Sequence, residues 1–521
     1  MSEQLTHIYL LNVPLENDYK HTLYFTSKST QLSYFTSKKV KEYTNCSYQR
    51  KDQFVRIPEH YETLASLGCN YLIYHNAVVD KWFYSFITDM KYVNDGYTDI
   101  FIETDCIQTW FFDYNVKPSF VEREHVDNDA IGSHTVPEGL EIGEYICSGT
   151  KFDTPLTETA LVLGTTVSIS GENVQGGNYN GIYSALKYYS GQASDINDFI
   201  RVLTEGSESA DFKGGKADAI NCIFMAPKFL CGNGVTFISN SEAVNYFESI
   251  YGKPTTLSGY TPRNNKLFTF PYRYLMVANN NGGTAIYHYE LFSSEACNFK
   301  IEGALTPGCS IRLIPKNYKQ LETNNEEGLN LGKYPVCNWN TDVYTNWLTQ
   351  NSVNIAMDLV SGGLQVVGGI GGAIATGGIG SVVAGGIASG GIEKIASTLA
   401  QVYTHSFTPP QSKGNINCGD VITASDKNTF TYYQMNIKPE YARIIDEYFD
   451  MFGYKVNRVK TPNKAHRSRY WYTKTIDVNI DGAIPNKDMQ VIKNCYNNGI
   501  TFWRNASEIQ NYSLSNSIYK G

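Results

Sequence analysis

Apolar and polar positions alternate along much of the first 126 residues, which is typical of half-buried β-strands. The segment "KWFYSFITDMKYVNDGYTDIFIETDCIQTWFF" contains two β-prone runs on either side of Asn94, Asp95 and Gly96. These three residues favour a tight turn. The pattern therefore predicts a long β-hairpin.

The second run of this hairpin predicts a strand with two different faces. The two-residue period places Ile100, Ile102 and Thr104 on one face, and Phe101, Glu103 and Asp105 on the other. The first face is expected to contact a core. The second, acidic face is expected to meet solvent or a partner.

The amino-acid composition changes in the middle of the chain. Interruptions such as "SGENVQGGNYNG" and "EGSESADFKGGKAD" between about 127 and 262 are loop signals and predict a less regular, outer region. The following segment, "KLFTFPYRYLMVANNNGGTAIYHYELF", predicts a second hairpin around an Asn/Gly-rich turn. "NTDVYTNWLTQNSVNIAMD" then has apolar residues near helical spacing.

The C-terminal region contains the clearest helix signal. In "PEYARIIDEYFDMFG", Pro439 favours a helix start and Gly453 a helix end. The apolar stripe predicted for this helix consists of Tyr441, Ile444, Ile445, Tyr448, Phe449 and Phe452. Further strands are predicted after it, as in "SRYWYTKTIDVNI". The fold class predicted for the whole chain is mainly β with a minor α+β part.

An uncharged run of 34 residues, 359–392, interrupts this pattern. As a helix it would measure about 50 Å, more than the roughly 30 Å hydrocarbon core of a bilayer. Thirteen of its residues are glycines, so it is a poor helix former in water. Glycines four residues apart, such as Gly368 and Gly372, let helices approach closely in lipid.

Membrane activity and burial in a protein core both remain possible interpretations of this run. A flexible linker is disfavoured because linkers are usually polar. The apolar residues predicted to be membrane-active are Leu364, Val366, Val367, Ile370, Ile374, Ile379, Val382, Val383, Ile387 and Ile392.

Composition narrows the classes of function. The net charge of −8 and pI near 5.7 argue against a protein that binds nucleic acid. A channel with an acidic surface could still let DNA pass. The N-terminus lacks the basic and apolar regions of a secretory signal, so folding in a cytoplasm is expected. Eleven cysteines without a CxxC pair indicate free thiols rather than a zinc or disulfide framework.

Motifs for common enzyme chemistry are absent from the sequence. It contains no phosphate loop, nucleophile elbow, HExxH helix or dinucleotide fingerprint. Two carboxylate pairs, Glu103 with Asp105 and Glu122 with Glu124, could serve a glycosidase, but solvated strand faces are the favoured explanation. We therefore predict no catalytic residue, metal or cofactor. A cell-wall glycan hydrolase and a receptor-binding protein remain the alternatives.

Several stretches resemble the tail knob proteins of small short-tailed bacteriophages. In the first 145 residues they are "NVPLENDYKHTLYFTSKSTQLSYF", "KWFYSFI", "IETDCIQTWFFD", "SFVEREHV" and "EGLEIGEY". Later, "FPYRYLMV" and "PVCNWNTDVYTNWLTQN" resemble the segment that leads into the family's long hydrophobic loop. The uncharged run stands where that loop belongs.

The resemblance implies a non-enzymatic homo-hexamer that forms the distal tail tube of a virion. Its partners would be adjacent tail proteins, DNA in transit and the host membrane, into which the loops insert after plugging the lumen. Glu103 and Asp105 would then be candidates to line the lumen. The implied division is an N-terminal β tube domain (1–126), an outer domain (127–262), a second β tube region (263–350), the hydrophobic loop (351–410) and a C-terminal α+β region that completes the second tube domain (411–521).

Overall fold

A computed structural model gives the fold of the chain. It describes residues 6–46, 48–49, 53–77, 79–165, 177–179, 182–184, 187–191, 196, 198, 220–231, 236–237, 244–305, 308–332, 334, 336–338, 428–464 and 466–519. The chain divides into two compact units. The first consists of Met1–Gly143, Tyr260–Phe268 and Pro439–Gly521, and the second of Glu144–Gly259 and Thr269–Lys438.

Strands dominate both units. The N-terminal part contains β1 Thr6–Leu11, β2 His21–Leu23, β3 Lys39–Cys46, β4 Tyr48–Gln49, β5 Phe54–Ile57, β6 Tyr71–Asn76, β7 Lys81–Asn94, β8 Tyr97–Thr104, β9 Tyr114–Val116 and β10 Ser119–Glu124. The middle contains β11 Tyr145–Phe152, β12 Thr159–Thr165, β13 Gly177–Tyr179, β14 Ile182–Ser184, β15 Lys187–Gly191, β16 Ile220–Pro227, β17 Thr236–Phe237, β18 Val244–Gly252, β19 Arg273–Ala278, β20 Thr284–Tyr287, β21 Ala296–Ala304, β22 Ser310–Tyr318, β23 Leu321–Thr323, β24 Leu329–Asn330, β25 Val336–Asn338 and β26 Thr431–Ile437. The C-terminal part adds β27 Tyr454–Lys460, β28 Tyr470–Ile476, β29 Ile480–Gly482 and β30 Ile500–Trp503.

Helices are short and few among the described residues. They are α1 Lys28–Ser37, α2 Tyr61–Ser66, α3 Cys106–Trp110, α4 Thr154–Thr157, α5 Pro439–Phe452 and α6 Asn486–Asn498. Single 3-10 turns occur at Lys228–Leu230, Asn265–Phe268, Tyr289–Leu291 and Ala506–Glu508. The mainly β fold class predicted from the sequence is confirmed.

The first unit is built on two sheets. Sheet A has the strand order β3-β1-β6-β7-β8-β5-β4, and sheet B the order β2-β30-β28-β10-β27. Neighbouring strands are antiparallel except β2 and β30, which run parallel. The predicted hairpin around Asn94, Asp95 and Gly96 is present as β7 and β8.

Sheet A is buried on both faces at its centre. In β6, Leu72 and Tyr74 enter one apolar cluster with Trp110 of α3, whereas Tyr71 and Ile73 enter the cluster on the opposite face. Continuous apolar runs such as "YLIY" are typical of strands that are covered on both sides. The simple alternation predicted for a one-sided sheet therefore applies to β8, which lies between β7 and β5, but not to the central strand β6.

The second unit contains three larger sheets around one apolar core. Their orders are β11-β26-β19-β20, β17-β15-β12-β16-β25, and β18-β21-β22-β23 with β24 beside β22. Leu275, Phe299 and Tyr432 lie in the core that these sheets share. The predicted hairpin in 266–292 is present as β19 and β20.

Helix α5 is confirmed, but its buried face differs from the predicted stripe. It spans Pro439–Phe452, and its buried residues are Ala442, Ile445, Asp446 and Phe449. Ile444, which was predicted to be buried, is 63% exposed. The buried face is turned by one residue because the carboxylate of Asp446 meets hydrogen-bond donors inside the unit.

The five-part domain division stays a prediction. The two units place residues 439–521 together with the N-terminal sheets. The predicted helix in 340–358 and the segment 351–410 lie outside the described residues.

Candidate functional site

Glu103 is the predicted lumen residue that the structure places at the surface. It lies near the end of β8 and is exposed. Its carboxylate has no hydrogen bond or ion pair with any residue that the structure describes. Other charges on this part of sheet A are paired, as in the Arg56 guanidinium, which donates to both oxygens of Asp99 at 2.7 and 2.8 Å. Glu103 is therefore a free surface anion.

Asp105 does not share a face with Glu103, and that prediction is wrong. Strand β8 ends at Thr104, and Asp105 is the N-cap of α3, where its Oδ1 accepts from the backbone N–H of Gln108 at 3.0 Å. The hydroxyl of Tyr71 donates to Oδ2 at 2.9 Å. The residue is 2% exposed, and burial raises the pKa of its carboxyl to about 6. A side chain held in this way cannot line a lumen.

The second carboxylate pair is also separated. Glu122 forms an ion pair with Lys474 at 2.9 Å on one face of β10. Glu124 is buried, where Lys460 donates to it at 2.5 Å and the backbone N–H of Asn463 at 2.9 Å. A bulge between Val121 and Arg123 interrupts the strand period between them. Neither predicted pair presents two free carboxylates to a sugar.

A cluster of buried carboxylates holds the segment 260–268 inside the first unit. Asp446 accepts from the Tyr260 hydroxyl at 2.7 Å and from the backbone N–H groups of Arg263 and Asn264 at 2.8 and 3.0 Å. The Asn264 amide donates to Asp446 at 2.9 Å and to Asp450 at 2.8 Å. The carboxylates therefore bind this segment to the rest of the first unit, although the chain on both sides of the segment belongs to the second unit.

Glu138 is the centre of a buried charge network in the same unit. Arg123 and Lys266 both donate to its carboxylate, and so does the backbone N–H of Lys455 at 2.9 Å. Its side chain is 1% exposed, and those of Arg123 and Lys266 are 8% and 3% exposed. Buried charges of this kind are stable only when they are paired.

His125 has a structural environment rather than a metal-binding one among the described residues. His125 is buried, its Nδ1 accepts from the backbone N–H of Tyr472 at 2.7 Å, and its Nε2 donates to the carbonyl of Asp450 at 2.9 Å. Burial lowers the pKa of His125 to about 3, so the ring is neutral at physiological pH.

The burial of Asp446 was not predicted, although the spacing of residues along the helix indicates it. Ala442, Ile445, Asp446 and Phe449 follow the i, i+3, i+4, i+7 spacing of a buried helix face. An acidic residue in such a stripe indicates a buried carboxylate with partners. Those partners could not be read from the sequence because they come from a distant segment.

All ten apolar residues predicted to be membrane-active lie outside the described residues. Within the part of the chain that is described, no helix is both long and apolar enough to cross a bilayer.

Two family models match the chain. The model of the C-terminal domain of tail knob protein gp9 from Bacillus phage phi29 matches residues 236–517, which is more than half of the chain. The model of the N-terminus of the caudoviral major tail protein matches residues 4–115.

Individual proteins agree with these matches. The chain is 27% identical to the tail knob protein gp9 of Bacillus phage B103, with 97% of both chains covered. It is 25% identical to that of Bacillus phage phi29, with 98% of both covered. The structure of the bacteriophage C1 tail knob protein, gp12, is similar with a TM-score of 0.63 at 13% identity, and the match covers 99% of this chain and 100% of that one. The chain therefore belongs to the bacteriophage tail knob proteins, a family of structural components of the phage tail.

Proposed function

We propose that six copies of the chain form a closed tube at the end of the tail, through which DNA leaves the virion. The apolar run plugs this tube before ejection and then inserts into the host membrane as a pore. The observation that carries the proposal is the uncharged run 359–392 within a chain of the tail knob family.

The run suits two environments in turn. Within a closed tube, six apolar segments would shield one another from water, and in a membrane the lipid would do so. Its glycines make it a poor helix in water and allow close helix contacts in lipid. These properties support a segment that changes its surroundings rather than a permanent anchor.

The charge of the chain supports a passage for DNA rather than a binding site. Six copies at −8 each would carry −48. Glu103 is exposed and unpaired among the described residues, so it stays a candidate to face a passing phosphate backbone. Repulsion between like charges would keep DNA from adhering to the wall.

Electron microscopy of the purified protein tests the tube. The proposal predicts hollow particles with sixfold symmetry and a wide central channel. Particles without a channel, or a protein that stays monomeric at every concentration tested, would contradict it.

A further inference from the structure

Three exposed apolar side chains lie side by side across sheet B. Phe120 of β10 stands opposite Val459 of β27 on one side and opposite Ile476 of β28 on the other. The exposed fractions are 70% for Val459, 36% for Phe120 and 54% for Ile476. We call these three residues the apolar row. Directly opposed side chains on one sheet face form a continuous surface, and water contact with such a surface is unfavourable.

The apolar row ends at an open, basic sheet edge. Strand β27 is the last strand of sheet B in the described structure. Arg458 and Lys455 on this strand have no acidic partner among the described residues, whereas Lys474 is paired with Glu122. Asp477 follows Ile476 beyond the end of β28. Exposed edge strands are sites at which another chain can add.

The hairpin of sheet A carries the complementary chemistry. Tyr92 and Tyr97 beside the turn are 57% and 45% exposed. Asp95 accepts from the Tyr92 hydroxyl at 2.7 Å, and the carboxylate of Glu62 on α2 acts electrostatically on Tyr92. Neither carboxylate has a basic partner among the residues that the structure describes. We call residues 92–97 the hairpin tip; together with Glu62, it is aromatic and acidic.

We propose that the apolar row and strand β27 of one copy bind the hairpin tip of the next copy. This inference rests on the proposed ring and names its contact. A ring requires a head-to-tail contact between two different surfaces of the same chain. The apolar row and the hairpin tip differ in charge sign, both expose apolar area, and both belong to the first unit. Strand β8 extends roughly 24 Å from the hairpin tip to its other end, and the apolar row lies on the other large sheet of the unit.

A second copy is the occupant that the charges favour. The basic edge, with Arg458 and Lys455, meets Asp95 and Glu62, two carboxylates of the chain itself that have no basic partner among the described residues. The apolar row then loses its water contact against the two tyrosines. Opposite charges at the margin of such a contact accelerate association and fix its register.

The test combines a change in the apolar row with a charge exchange. Val459→Asp is expected to raise the protein concentration needed for half-assembly about tenfold or more, which mass photometry measures. Ile444→Asp is the matched control, because Ile444 is a similarly exposed apolar residue (63%) of the same unit that lies on α5 and not on sheet B. Thermal melting checks that both variants fold like the wild type.

The charge exchange identifies the partner surface. Arg458→Glu and Asp95→Lys should each weaken assembly, and the double variant should recover most of it because the ion pair is restored with its signs reversed. Additive losses in the double variant would overturn the proposal, and so would equal losses from Val459→Asp and Ile444→Asp.

These outcomes are separable from those of the proposed function. If the wild type forms sixfold rings and Val459→Asp assembles like it, the contact is wrong and the tube stands. If the wild type forms no ring, the tube itself is contradicted. A discrete non-ring oligomer that loses assembly on Val459→Asp and recovers in the charge exchange would support the contact without the tube.

Discussion

At the scale of single residues, buried carboxylates hold segments of the first unit together through hydrogen bonds. Asp446, Glu138 and Asp105 each accept more than one hydrogen bond, and at least one of the donors is distant in the sequence. A buried acceptor that is removed leaves its donors unsatisfied, which costs more than the net value of the bonds. Substitutions that remove one of these carboxylates are therefore expected to lower the free energy of unfolding.

Asp446→Ala should lower the free energy of unfolding by about 3 kcal/mol, because the Tyr260 hydroxyl and the Arg263 and Asn264 N–H groups lose their acceptor. Glu447→Ala is the control, since Glu447 is an exposed neighbour on α5. Urea unfolding followed by tryptophan fluorescence measures the difference. Equal stability of the two variants would refute the assigned role.

Asp105 should make stability depend on pH. Its pKa is about 6 when folded against an ordinary 3.8, because burial disfavours the charged form. Its stabilising contribution is complete below pH 3.8 and is lost as the pH rises through 6, since the folded state holds a proton that the unfolded state releases. Burial also raises the pKa of the nearby Tyr71, Tyr19 and Cys106, so these groups stay neutral in that range.

Asp105→Asn removes this titration while keeping an acceptor for the Gln108 N–H group. The fall in unfolding free energy between pH 4 and pH 7 should therefore be smaller in the variant than in the wild type. Urea unfolding at both pH values provides the comparison. Parallel pH profiles would show that Asp105 does not titrate as described.

The faces of a strand can be predicted only as far as the strand continues. The alternation correctly predicted Ile100 and Ile102 as buried and Glu103 as exposed. It was wrong for Asp105, because the chain turns into α3 at that residue and the period ends. At this turn Asp105 accepts from the Tyr71 hydroxyl, which lies on a different strand and is not part of the local pattern.

At the scale of elements, turns and helix ends follow local signals while sheet order does not. The β7–β8 hairpin, the β19–β20 hairpin and the limits of α5 were predictable from Gly, Asn and Pro. The parallel pairing of β2 with β30 joins residues near opposite ends of the chain, such as His21 and Thr501. No short-range pattern reports such a pairing.

Gly453 ends α5 at a place where no side chain fits. Its φ is +65°, and an added Cβ would lie 2.1 Å from the carbonyl oxygen of Glu124. Gly453→Ala should therefore destabilise the fold by about 4 kcal/mol. Gly68→Ala is the control, with φ +61° and no atom within 4 Å of the added Cβ, and should cost only about 1 kcal/mol. Thermal unfolding measures the loss of stability in both variants. Equal losses would mean that the positive φ alone, and not the contact with Glu124, causes the destabilisation.

At the scale of the whole molecule, the acidic surface should assist DNA release. Glu103→Lys in assembled particles should slow the exit of DNA by attracting phosphates, and the effect should weaken with salt because screening acts over roughly 10 Å at 0.1 M. Glu103→Gln, which removes the charge without reversing it, should have a smaller effect. Release rates followed with a DNA-binding dye provide the measurement. An unchanged rate at low salt would remove Glu103 from the lumen.

The central claim is that the run 359–392 acts on membranes and is dispensable for the tube. Dye release from liposomes tests it most directly, using the wild type, a deletion of residues 362–391, and the variants Ile374→Asp and Val383→Asp. Each charge should oppose insertion by roughly 2.5–3.5 kcal/mol at the bilayer centre. We expect rings from all four proteins in electron micrographs, release by the wild type, and loss of release in the variants. A deletion protein that forms rings and still releases dye would contradict the account, and one that cannot assemble would make the run part of the structural core.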